Sequence, residues 1–238
     1  MLRHLAAGAL YEAKTAIARY PSIAMPLQRA RRRGELVGEH TDVVIEAFPR
    51  CASSFAVAAF RLAQEPSPTR IAHHTHMPAQ VIDAIARGVP TMVLIRPATD
   101  AVVSHVIRSP DLGVSAAMRG FLRFYEPLVQ RRSGFVVASF DEVTRRFGVA
   151  IDRLNERFTT SFAPFEHTPA QVARIEAEIE RDYRAREGSG RRLEAVIPRP
   201  SSSREARKAE VRERVRREVS PDMLARAHHV FRALLPQT

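Results

Sequence analysis

Thr41-Asp42-Val43-Val44-Ile45-Glu46-Ala47-Phe48-Pro49-Arg50-Cys51-Ala52-Ser53-Ser54-Phe55 is the stretch from which the fold can be read. Thr41 to Phe48 is a short β-rich apolar run, and the small and apolar residues from Ser53 to Gln64 suit a helix, so strand, tight turn and helix follow one another. Such a junction favours phosphate, because free backbone N–H groups and the positive end of the helix dipole point out of a helix N-terminus. Arg50 adds charge and Ser53 and Ser54 add hydroxyls. The turn is not the G-x-x-x-x-G-K-[ST] loop of nucleotide triphosphatases, since glycine and lysine are missing from their places. A serine-capped helix with no ligand is the competing reading of the same residues.

Outward from this unit the alternation continues. Arg70 to His76 reads as a second strand, Ala79 to Arg87 as a helix closed by Gly88, and Pro90 to Arg96 as a third, almost wholly apolar strand. Asp100 to Arg108 and Val114 to Arg131 read as helices, Gly134 to Phe140 as a fourth strand, and Asp141 to Phe158 as helix again. Near-continuous apolar strands alternating with helices are what a parallel sheet covered on both faces requires. The expected fold is therefore α/β, a parallel sheet flanked by helices, with helical extensions at both ends. Residues 39–165 form its core, 1–38 a helical and basic extension, and 166–238 a charge-rich helical region broken at Gly188-Ser189-Gly190 and at Pro198 to Ser203.

With 238 residues there is room for one such domain rather than two cores. A single cysteine, Cys51, excludes a disulfide framework within the chain and fits a reducing compartment, so the cytoplasm is expected. No stretch approaches the roughly 18 uninterrupted apolar residues of a membrane span. Apolar Leu2, Leu5, Leu10 and Ile17 among basic residues give an amphipathic start, read as packing on the core in preference to a membrane surface. The net charge of +11 attracts phosphates, acidic acceptors, nucleic acid and anionic lipid alike and selects none of them.

Two further segments carry candidate chemistry. His73-His74-Thr75-His76-Met77-Pro78 closes the second strand; in extended chain His74 and His76 share one face and His73 takes the other. Proton transfer at the carboxyl edge of the sheet, a metal site and structural histidines are the readings open to it, and no carboxylate or cysteine lies near in sequence to complete a metal's ligands. Arg96-Pro97-Ala98-Thr99-Asp100 follows the most apolar strand, where a guanidinium can fork onto phosphate, with Ser104 further along the next helix; a surface arginine is the alternative.

In order and spacing, the three segments together resemble the sulfotransferases that use 3′-phosphoadenylyl sulfate (PAPS). Phe48 to Phe55 is similar to that family's aromatic-Pro-Lys-Ser-Gly-Thr-Thr-Trp loop, with Arg50 in the lysine's place and Ala52 in the glycine's. His74-Thr75-His76-Met77-Pro78 matches its Lys-Thr-His-hydrophobic-Pro, with His76 at the catalytic position and His74 at the second lysine's. Arg96 falls twenty residues after His76 and Ser104 eight after Arg96, the spacing of the family's 3′-phosphate pair, with Asp100 kept and Pro97 one position early. Ser139-Phe140-Asp141-Glu142 resembles its Tyr-Glu-Asp segment. The match runs from Val43 to Phe158. The resemblance implies a P-loop-like three-layer sandwich; the family's glycine-rich C-terminal cofactor segment is not visible, and by position and charge the run from Arg199 to Arg204 is expected to take its place.

The resemblance implies transfer of a sulfuryl group from PAPS, leaving as 3′-phosphoadenosine 5′-phosphate (PAP), to a hydroxyl of a small molecule, glycan or lipid, without a metal. It implies Arg50 and the amides of Cys51, Ala52, Ser53 and Ser54 at the 5′-phosphosulfate, Arg96, Ser104 and Arg199 at the rest of the nucleotide, His76 as general base and His74 beside the leaving group. A kinase of the same broad fold and an inactive nucleotide- or nucleic-acid-binding module are the alternatives. The missing glycine-lysine loop argues against the first. The alternating charges of Arg204 to Arg217, with Phe231 the one aromatic after them, argue against nucleic acid.

Overall fold

The computed structural model describes residues 2–31, 35–187 and 202–235. Four strands, β1 (Val43–Ala47), β2 (Ile71–His73), β3 (Thr91–Ile95) and β4 (Val136–Ser139), form a parallel sheet in the order β2-β1-β3-β4. Val44 is in register with both Ala72 and Thr91 at one level and Leu94 with Ala138 at another. Every residue of β1, β2 and β3 is buried, as a sheet covered on both faces demands.

Parallel neighbours require crossovers, and right-handed ones fix the layers. Helix α3 (Ser53–Ala63) carries the chain from β1 out to β2, and α4 (Pro78–Ala86) brings it back across β1 to β3. The two therefore lie on opposite faces. Next, α5 (Ala98–Arg108) and α6 (Val114–Val129) lead to β4. After it, α7 (Phe140–Arg145) and α8 (Phe147–Phe158) return to the α3 face, where α9 (Pro169–Glu187) packs on α3. Alternation along β1 follows: Val43, Ile45 and Ala47 join the large cluster containing Phe60, whereas Val44 meets Ala72, Ala79 and Ala84. Glu46 shares the Val44 face, toward α4.

The N-terminal helices, α1 (Leu2–Ile17) and α2 (Pro21–Arg31), lie against α6 and α4 respectively. Glu12 pins α1 through Arg119, at 2.6 Å, and Arg123. Gly120 permits the approach, since a Cβ there would lie 2.1 Å from the Tyr11 hydroxyl. Packing of this segment is partial: Leu10, Ile17, Tyr20, Ile23 and Leu27 are exposed. The side chains of Leu2 and Leu5 lie outside the described residues. From the C-terminal region α10 (Ser202–Glu218) packs on α5 and α11 (Pro221–Leu234) on α6, both contributing to the large core cluster. Arg216 and Lys208 of α10 pair within their own helix, and Arg212 reaches Asp100 of α5 at 3.1 Å.

Two expected elements differ. The second strand stops at His73 instead of His76, because His74 and His76 adopt φ of 59° and 54°, left-handed values that no extended strand contains. The helix expected from Asp141 to Phe158 is two: Arg146, at φ −155° and ψ 48°, leaves the helical region, and Arg153 of α8 folds back onto the Glu142 carboxylate of α7. The Gly188 to Gly190 break and Arg199 lie outside the described residues. Among those described, no helix is long and apolar enough to cross a membrane.

Candidate active site

β1 is followed by β2 on one side and flanked by β3 on the other, so the carboxyl ends of β1 and β3 bracket the switch point of the sheet, where open α/β sheets leave a crevice. The loop from Phe48 to Ala52 leaves β1 at this point. Arg50 and Ala52 have φ of 71° and 68° on either side of Cys51, a turn for which glycine is the natural residue and which turns successive amides into a concave face. Ala52 is itself the N-cap of α3 and makes no side-chain cap, so Ser53 and Ser54 are the first helical residues and the serine-capped helix is not what forms. Among the described residues, the amides of Cys51, Ala52, Ser53 and Ser54 meet no acceptor. Four N–H groups at the positive end of an eleven-residue helix make an anion cradle.

The loop is held from beneath. Tyr125, fully buried, donates its hydroxyl to the Leu94 carbonyl at 2.6 Å and accepts from the Phe48 amide at 3.3 Å, tying the loop to β3. The Cys51 thiol is buried against Tyr125, and burial pushes its pKa up to about 11, so the thiol stays protonated.

Sequence-predicted residues converge here. Arg50 Nε donates to Ser104 Oγ at 3.1 Å, and Arg96 Nη1 donates to the Arg50 carbonyl at 3.3 Å. The Arg96 guanidinium carbon also lies 4.0 Å from the centre of the Phe140 ring, a cation–π contact that holds the side chain. Arg50, Arg96 and Ser104 therefore form one cationic wall of the cradle. Phe55, by contrast, stacks on His167 away from it.

The opposite wall is the turn between β2 and α4. Ser54 Oγ lies 3.3 Å from His74 Nε2, and the His74 and His76 rings meet edge to face at 5.8 Å. His76 Nδ1 lies 2.8 Å from the Ala47 carbonyl, an oxygen that only accepts, so Nδ1 carries the proton and Nε2 keeps its lone pair. That is the tautomer a base requires.

Glu46 holds this turn, and sequence reasoning passed it over as one more strand residue. Its carboxylate is fully buried. Oε1 accepts from the Thr75 amide at 2.7 Å, the Thr75 hydroxyl at 2.9 Å and Gln80 Nε2 at 3.0 Å; Oε2 accepts from the amides of His76 at 3.1 Å and Ala47 at 3.2 Å. Those bonds draw Thr75 and His76 inward and force the left-handed backbone that ends β2. Burial raises the Glu46 pKa, against the pull of His76 and the donors. A carboxylate inside an otherwise apolar strand was the signal available in the sequence. His105, next to Ser104, was also missed: half-buried between Tyr11 and Phe48, its pKa falls to about 3, with desolvation the main cause, and it stays neutral. Among the described residues no three His, Cys, Asp or Glu side chains are grouped as a metal ion needs.

No family model and no curated protein matches the sequence. Among solved structures, mouse sulfotransferase SULT7A1, complexed with PAP, is similar to this chain at a TM-score of 0.41 and 12% identity, over 82% of this chain and 90% of that one.

Proposed function

We propose that the chain is a PAPS-dependent sulfotransferase acting on a hydroxyl of a small molecule, glycan or lipid. The observation that carries this reading is the pairing of an anion cradle, walled by Arg50 and Arg96, with a histidine across it whose free Nε2 lone pair is dictated by the Ala47 carbonyl. The motif order read from the sequence adds to it.

PAPS supplies an activated sulfuryl group and releases PAP as the leaving nucleotide. The amides of Cys51 to Ser54 and the charge of Arg50 suit the anionic 5′ end, where they stabilise negative charge that grows during transfer. Ser104 and Arg96 are the residues for the 3′-phosphate. His76 accepts the acceptor's hydroxyl proton at Nε2 while its Nδ1–H stays on Ala47, which keeps the ring oriented through the proton transfer. Glu46 fixes the backbone on which His76 rides.

PAP release from PAPS in the presence of phenolic, sugar and long-chain alcohols measures the activity, with ATP and magnesium as the kinase control. His76→Ala is expected to abolish transfer and leave PAP affinity nearly unchanged. A His76→Ala protein as active as wild type would remove the mechanism.

A further inference from the structure

Ser54 and Arg61 lie seven positions apart on α3, hence on one face and roughly 10 Å apart along its axis. His73 and His74, at the end of β2, bridge them. Arg61 Nη2 is 2.9 Å from His73 Nε2, His73 Nδ1 is 2.5 Å from His74 Nδ1, and His74 Nε2 is 3.3 Å from Ser54 Oγ.

The protons along this line follow from its first member. A guanidinium only donates, so His73 Nε2 accepts. A neutral imidazole that accepts at one nitrogen carries its hydrogen on the other, so His73 Nδ1–H donates to His74 Nδ1, and His74 Nε2–H donates to Ser54 Oγ. With that lone pair engaged, the Ser54 hydroxyl hydrogen is directed elsewhere, and Ser54 stands in the first turn of α3 beside the unpaired amides. A second proton on His74 Nδ1 would set two N–H groups against each other. Glu35, 3.5 Å from Arg61 and 3.6 Å from His73 Nε2, balances the arginine at the outer end.

We propose that Arg61, His73 and His74 are a one-way chain of donors that presents the Ser54 hydroxyl hydrogen to a phosphate or sulfate group at the start of α3. Arg61 and His73 are then positioning residues, and His74 is a neutral donor where the resembling family has a lysine. Taken end to end, the donors run from Arg61 to Ser54 and so put their positive end at the N-terminus of α3, the same sense as the helix dipole, and the two fields add there. The inference rests on the anion site proposed above, but the tautomers it requires exist without any ligand.

Nitrogen-15 NMR of the imidazoles in the full-length protein near neutral pH reads those tautomers directly, with His73→Gln and His74→Gln spectra for assignment. His73 should carry its proton on Nδ1 and His74 on Nε2; the reverse pair, or a doubly protonated His74, overturns the chain. Arg61→Gln, which can accept as well as donate, should mix the His74 tautomers and weaken PAP about fivefold, the effect of one hydrogen bond, with Arg61→Lys restoring both. Unchanged tautomers and PAP affinity in Arg61→Gln would also overturn it. Wild-type tautomers as stated, with no binding of PAP, would instead remove the sulfotransferase reading, and inorganic sulfate then becomes the probe of the Ser54 end.

Discussion

Glu46→Gln is the substitution whose effect can be worked most fully from the structure. In the better of its two orientations the amide keeps its oxygen at the Oε1 position, retaining Thr75 and Gln80, and puts its NH2 where Oε2 accepted from Ala47 and His76. Two buried backbone donors then face a donor. Each such loss costs about 1–3 kcal/mol, while removing a buried charge returns part of the sum, so a net destabilisation of about 2–4 kcal/mol is expected. Urea unfolding near neutral pH, followed by far-UV circular dichroism, measures it. The His76 turn should loosen as well, so sulfuryl transfer should fall on the order of 100-fold, the penalty of a misplaced catalytic group. A variant within about 0.5 kcal/mol of wild type, as for an ordinary surface change, would refute the claim that this carboxylate builds the turn.

The same carboxylate predicts a pH dependence. Its folded-state pKa is raised, so protonation favours folding: the contribution is full below the ordinary carboxylate value of about 4.3 and is lost as pH rises through the raised value. Denaturation across a range of about pH 5–8 should show wild type losing stability with rising pH relative to Glu46→Gln, and parallel curves would contradict the sign. At Ala52, held at φ 68°, Ala52→Gly should change stability by less than about 1 kcal/mol, since relief of backbone strain and glycine's greater unfolded-state entropy nearly offset. Ala52→Val, a β-branched residue in a left-handed conformation, should cost about 2 kcal/mol in thermal or urea unfolding, and a harmless valine would mean that the loop is not built as described.

The strands and most helices were legible in the sequence because each is a buried apolar run or a periodic face, and Val43 to Ala47 or Thr91 to Ile95 have no other stable place than the middle of a sheet. The resemblance puts Arg50, Arg96 and Ser104 at one nucleotide, and these residues, far apart in the chain, touch because β1 and β3 are neighbours. What stayed hidden depends on contacts made across the fold. The early end of β2 comes from a carboxylate 28 residues before His74, and no local pattern in His73 to Met77 announces it. The donor chain from Arg61 likewise joins α3 to the end of β2 through side chains whose roles are set only once they face each other. The corner at Arg146 is of the same kind, a break secured by the later pairing of Arg153 with Glu142.

A thermal-shift titration with PAP, run beside 5′-AMP and ATP with magnesium, tests the central claim most directly. A ligand that binds only the folded state stabilises it by about 2.7 kcal/mol at a hundredfold excess over its Kd. Stabilisation by PAP well beyond that by 5′-AMP is the predicted result, because Arg96 and Ser104 are assigned to the 3′-phosphate. No shift with PAP, or the same shift with 5′-AMP, would contradict the claim that this cradle was built for a 3′-phosphorylated nucleotide.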